Sequence, residues 1–100
     1  MHTVNVRIAQ DHPAFAGHFP GQPLLPGVAL LAEVIEALLD EPALARLVGP
    51  FLRIGAAKFL APVRPGAQLT ITLEAGARGV RFEVREGERL AASGQFEAAA

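Results

Sequence analysis

Apolar and polar positions divide the chain into stretches of different period. Val4, Val6 and Ile8 alternate with Asn5 and Arg7, the two-residue repeat of a half-buried strand. Between Asp11 and Pro26 the pattern dissolves: prolines at 13, 20, 23 and 26 and glycines at 17 and 21 are incompatible with a helix or a central strand. A connection of that length in a small domain usually carries function or grips a partner. Pro26 and Gly27 then open a predicted helix running to about Leu39 or Asp40, with proline at an allowed first-turn position. Its polar residues Glu33, Glu36 and Asp40 fall within an arc of about 60° at 3.6 residues per turn. The rest of the circumference is apolar, so the helix needs cover from more than one side. A short helical turn is expected around "ALARLV", between Pro42 and the "VGPF" that ends at Phe51.

Beyond Pro50 the chain reads as strands over Phe51 to Leu60, Gln68 to Glu74, Val80 to Arg85 and Leu90 to Phe96, with "APVRPG" as a break. The glycines of "EAGARG" and "REGE" suit hairpin turns. The expected order is therefore strand, long loop, buried helix and an antiparallel meander of about four strands, in one domain spanning residues 1–100. A sheet curled round the helix covers it most simply, leaving a sheet edge for pairing with another subunit.

Composition narrows the function classes. With 51% hydrophobic and 19% charged residues the chain is no disordered tail, and a mean hydropathy of +0.32 implies apolar surface that meets another subunit. Nine basic and ten acidic residues leave a net charge of -1 without a basic cluster, which argues against nucleic acid as a partner. No apolar run is long enough to span a bilayer, and the N-terminal stretch lacks the apolar core of a signal peptide. The absence of cysteine excludes thiolate chemistry and fits a reducing compartment, so a cytoplasmic setting is expected.

Three histidines remain as candidates for chemistry. His2 is terminal, and His12, before Pro13, reads as a turn or packing residue. His18 lies in "GHFPGQPLLPGV", where small neighbours let a backbone or substrate approach. The spacing of these histidines gives no metal site and no other cofactor is implied; the single serine, Ser93, sits outside any nucleophile-elbow motif. Acid-base chemistry is the enzymatic use left open, with the N-terminus of the helix at Gly27 and Val28 offering N–H groups to polarise a carbonyl.

"GHFPGQPLLPGV" resembles the signature loop of the 3-hydroxyacyl-(acyl carrier protein) dehydratases, and "FLAPVRPGAQL", residues 59 to 69, is similar to a second segment of that family. The resemblance implies a hot-dog fold, an α+β architecture in which a curved antiparallel sheet wraps one long helix. It implies removal of water from a 3-hydroxyacyl thioester in fatty-acid or related lipid or polyene synthesis, the acyl chain being carried by acyl carrier protein or CoA. It assigns His18 as the base at C2 and places Phe19, Gly21, Pro26, Gly27 and Val28 at the substrate. The family's helix carboxylate, supplied across a dimer, falls four positions after Val28, and that position here is Ala32. Glu36 lies about 40° round the helix from Ala32 and Glu33 about 100° round, which makes Glu36 the better geometric substitute.

Three readings follow: a dehydratase with His18 and Glu36 or Glu33; a catalytically degenerate subunit that binds acyl carrier protein or forms a heterodimer with an active partner; and, more remotely, a thioesterase of the same fold. Arginines 53, 64, 78, 81, 85 and 89 with Lys58, spread over the strand half, could dock an acidic carrier protein.

Overall fold

The computed structural model describes residues 1–15 and 24–98. The elements in chain order are β1 (His2–Arg7), a 3-10 turn (Pro13–Phe15), α1 (Gly27–Leu39), α2 (Pro42–Val48), β2 (Leu52–Phe59), β3 (Gln68–Ala75), β4 (Gly79–Glu86) and β5 (Arg89–Ala98). Every strand and helix read from the sequence is present within a residue or two of its expected bounds. The 3-10 turn is an addition. The proline-rich stretch excludes a long helix, yet a proline at the first position of a single turn loses no backbone bond, and Phe15 N–H closes the turn on His12 C=O at 3.0 Å.

All five strands pair antiparallel in the order β1-β3-β4-β5-β2. The last three strands form the expected meander, and the loop between β4 and β5 turns through Gly87 at φ 61, a conformation that costs glycine little. β2 departs from the expectation. It does not lie beside β3 but crosses to the far edge, where it pairs with β5. The break "APVRPG" provides the length for that crossing, so two sequential strands end up at opposite sides of the sheet.

One face of the sheet presents Leu69, Ile71, Leu73, Val80, Phe82, Val84 and Phe96 to the core, all at most 2% exposed. The stacked rings of Phe82 and Phe96, centroids 5.0 Å apart, fill its centre. Helix α1 lays Leu30, Val34, Ala37 and Leu38 on this face, the i, i+4, i+7, i+8 stripe of an amphipathic helix. Among the described residues no polar or charged residue is buried. A wholly apolar core leaves any chemistry to the surface or to an interface.

The wrapping of α1 is one-sided. Val28 (78% exposed), Ala32, Glu36 and Leu39 (58% exposed) form a second line along the helix that no element among the described residues covers. A single sheet face shields one stripe of a helix, and the apolar residues opposite it require a second body.

Candidate functional site

The two segments that carry the family resemblance meet at the N-terminus of α1. Pro26, extended at φ -61 and ψ 150, stands at the N-cap rather than inside the first turn, and its carbonyl receives the N–H groups of Ala29 (3.0 Å) and Leu30 (3.1 Å). Gly27 and Val28 precede those donors; their own N–H groups have no partner among the described residues, and no side chain caps the helix. The approach to the helix is pinned to the second segment by Leu25 N–H donating to Val63 C=O at 2.8 Å. A little further on, Gly66 N–H donates to Ile8 C=O and Ile8 N–H to Ala67 C=O, which ties the same segment to the end of β1.

Gly27 is required there for space. A side-chain carbon at this position would sit 2.9 to 3.2 Å from the ring of Phe59, so the ring lies flat against the first turn of the helix. Around it opens a cleft of about 360 Å³ lined by Leu24, Leu25, Gly27, Leu30 and the run Phe59 to Val63. Its walls are apolar, and one of the residues lining it, Gly27, has a backbone N–H with no partner among the described residues, a combination suited to an apolar ligand with a polar head. The sequence assigned a resemblance to residues 59–69 but no role to Phe59; its place in the strand pattern marks it as inward-facing, and only the fold brings it to Gly27.

The proposed site residues separate as follows. His18, Phe19 and Gly21 lie outside the described residues. Of Pro26, Gly27 and Val28 only Gly27 lines the cleft; Pro26 caps the helix beside it and Val28 is exposed. Glu36 is exposed on the same line as Ala32, as the helical angle requires. Glu33 faces elsewhere: its Oε1 lies 3.6 Å from His12 Nε2, each side chain about a quarter exposed. His12 is in turn oriented by Ala14 N–H, which donates to its Nδ1 at 3.0 Å, and by the edge of the Phe15 ring. Glu33 and Glu36 thus do not form one solvated stripe. Glu33 fastens the 3-10 turn to α1 within the chain, and Glu36 points away from it. His12 also faces α1, and only the placement of the 3-10 turn beside the helix reveals it.

The strand-half arginines are largely neutralised. Arg53 pairs with Glu97 at 2.6 Å, Arg89 with Glu86 at 2.6 Å, and Arg81 and Arg85 with Glu74 and Glu83 at 3.6 and 3.5 Å. Lys58, Arg64 and Arg78 have no ion-pair partner among the described residues. No three His, Asp or Glu side chains of the described residues converge as metal ligands would, and no helix is long and apolar enough to cross a membrane.

Comparison with known proteins agrees with this arrangement. The chain is 38% identical over 71 residues to the 3-hydroxyacyl-[acyl-carrier-protein] dehydratase FabZ of Symbiobacterium thermophilum, a match covering 67% of this chain and 50% of that protein. This chain therefore spans about half the length of that relative. The FabZ of Aliarcobacter butzleri is 35% identical over 106 residues, covering 91% of this chain and 71% of the relative. Among solved structures, the dehydratase heterocomplex ApeI:P from Xenorhabdus doucetiae superposes with a TM-score of 0.76 at 26% identity, over 95% of this chain and 83% of that one. The model of the ApeI-like family, described as ApeI dehydratase, matches residues 1–95. With the sheet order, the helix laid on its inner face and these matches, the chain belongs to the ApeI-like dehydratase family of hot-dog proteins.

Proposed function

We propose that the chain is one subunit of a 3-hydroxyacyl thioester dehydratase, a hydro-lyase that removes water from an acyl chain carried on acyl carrier protein or CoA in fatty-acid or related lipid synthesis. The observation that carries this reading is the junction at Gly27. There the end of the histidine-bearing segment, the helix N-terminus and the run Phe59 to Val63 build one apolar cleft lined by Gly27, at the helix end where the N–H groups of Gly27 and Val28 have no partner among the described residues.

In this reading the thioester carbonyl accepts hydrogen bonds from those N–H groups, which stabilises negative charge developing on its oxygen. His18 takes the proton from C2, and a carboxylic acid gives its proton to the C3 hydroxyl as it leaves as water. The acid is supplied across an interface, because the uncovered line of α1 is the face turned to a second subunit. Glu36 is the residue of this chain on that line; Ala32 has no group to offer. Two subunits pair edge to edge through their sheets, and a cytoplasmic setting fits a chain without cysteine.

A second reading has specific support in Ala32: a subunit without its own acid that works beside a partner carrying one. The test for both is hydration of a short 2-enoyl thioester by the purified protein, with His18→Ala as control. Turnover abolished by His18→Ala supports the dehydratase. Turnover that needs an added partner subunit supports the second reading, and turnover unaffected by His18→Ala refutes both.

A further inference from the structure

Strand β2 ends the sheet, and its outer edge has no neighbour among the described residues. Ile54, Phe59 and Leu60 along it are 45%, 50% and 56% exposed, and Phe51 just before it is 77% exposed. An apolar sheet edge of this kind is covered in the working protein. Its charges indicate by what. The strand reads Leu-Arg-Ile-Gly-Ala-Ala-Lys-Phe, with two cations and no acid.

The register shift between Ile54 and Ala56 places both cations on one face. Arg53 lies opposite Glu97 of β5 and Lys58 opposite Ser93, in the rows of Gly79 and Glu83 that run along the outer side of the sheet. Ile54, Ala57 and Phe59 lie opposite Phe96, Gly94 and Ala92, the inner rows. Suppose a second copy approached this edge about a two-fold axis. The register that keeps outer residues opposite outer ones and Ile54 opposite Ala57 is centred on the bulge, and it sets Arg53 of each copy against Lys58 of the other.

Arg53 is already engaged by Glu97, whose carboxylate occupies the space that a side chain at Gly55 would fill. Lys58 is exposed and has no counter-ion among the described residues. Two copies would therefore gather four cations against two carboxylates across the axis, and like charges directly opposite each other weaken a strand pair.

We propose that the β2 edge is built to receive a different hot-dog chain, one whose own edge strand carries carboxylates on its outer face, and that it discriminates against a second copy of this chain. The inference rests on the edge-to-edge pairing proposed above and adds to it the chemistry of the partner.

Sedimentation of the full chain at low ionic strength tests it, with a charge-reversed copy as the probe in place of the natural partner. Lys58→Glu converts two symmetry-related like-charge pairs into opposite-charge pairs, so self-association should tighten about tenfold over wild type. Added salt should strengthen wild-type association and weaken that of Lys58→Glu. In a mixture of wild type with Arg53→Glu/Lys58→Glu, native mass spectrometry should find mixed dimers above their statistical share. A Lys58→Glu protein that associates no more tightly than wild type overturns the charge inference, as does a statistical mixture. Amide hydrogen exchange over residues 54–58 separates the two levels. Exchange that does not slow on association overturns the edge pairing itself, whereas slowed exchange without tightening overturns only the choice of partner.

Discussion

Glu33→Gln should cost stability and spare catalysis. The ring proton of His12 resides on Nε2, because Nδ1 accepts the N–H of Ala14, and so faces Glu33 Oε1 at 3.6 Å. That distance is too long for a hydrogen bond. Two full charges at that separation would interact by about 4.6 kcal/mol in a medium of effective dielectric about 20, an upper bound. The share of each side chain left in water and the entropy of holding the two side chains in place reduce this to about 0.5 kcal/mol, in the range of exposed pairs. A loss of that size in a domain of this length lowers Tm by about 2–4 °C. Thermal unfolding of wild type, Glu33→Gln, His12→Asn and the double variant should show the two single losses sharing a coupling of about 0.5 kcal/mol. Hydration of a 2-enoyl thioester, by the chain alone or with an added second subunit, should continue at the wild-type rate. A fall in rate of about 10² or more with Tm unchanged would overturn this assignment, because it would make Glu33 the acid and its contact with His12 incidental.

Glu36→Gln should do the opposite, leaving Tm unchanged because the residue is exposed and lowering turnover by about 10²–10⁴; retained turnover removes Glu36 as the acid. Ala32→Asp, on the same uncovered line, should leave turnover unchanged or raise it, and a lost activity in a folded protein would place the reaction away from that face. Gly27→Val pushes two methyl groups into the Phe59 ring, costing about 1–3 kcal/mol as overpacking does, and should raise KM well beyond what that loss of stability explains. Equal losses would make the glycine purely structural. Phe82→Ala removes half of the central stack and should cost about 3–5 kcal/mol in urea unfolding; a cost below about 1 kcal/mol would contradict the burial of Phe82 against Phe96.

The elements themselves were readable because period and punctuation agree: alternating β1, a helix begun at Pro26-Gly27, and glycines where β3, β4 and β5 turn. The position of β2 was not, because alternation says which face a strand shows and nothing about which edge it occupies. The helix α1 posed a similar difficulty. A helix apolar almost all round gives no sign of which stripe meets its own sheet, so the uncovered line from Val28 to Leu39 emerges only from the fold. The separate fates of Glu33 and Glu36 follow from the same geometry: 60° between neighbours on one polar arc is enough to aim one at the 3-10 turn and the other outward. The cleft was half legible, since both of its segments stood out as motifs, but the contact of Phe59 with Gly27 links residues 32 positions apart in sequence.

The crossing of β2 also sets an order of events during folding. Only the hairpins β3-β4 and β4-β5 join neighbours in sequence; β1 must find β3, and β2 must find β5, across some 30 to 70 intervening residues, from the pair Phe59 with Ala92 to the pair His2 with Leu73. Helix α1 and its leucines are synthesised before any of β3, β4 or β5, the strands that will cover them. Until residues 68–98 have left the ribosome, the inner stripe of the helix is as uncovered as the outer one. The inner stripe of α1 therefore gains its cover only after the last three strands have emerged and paired.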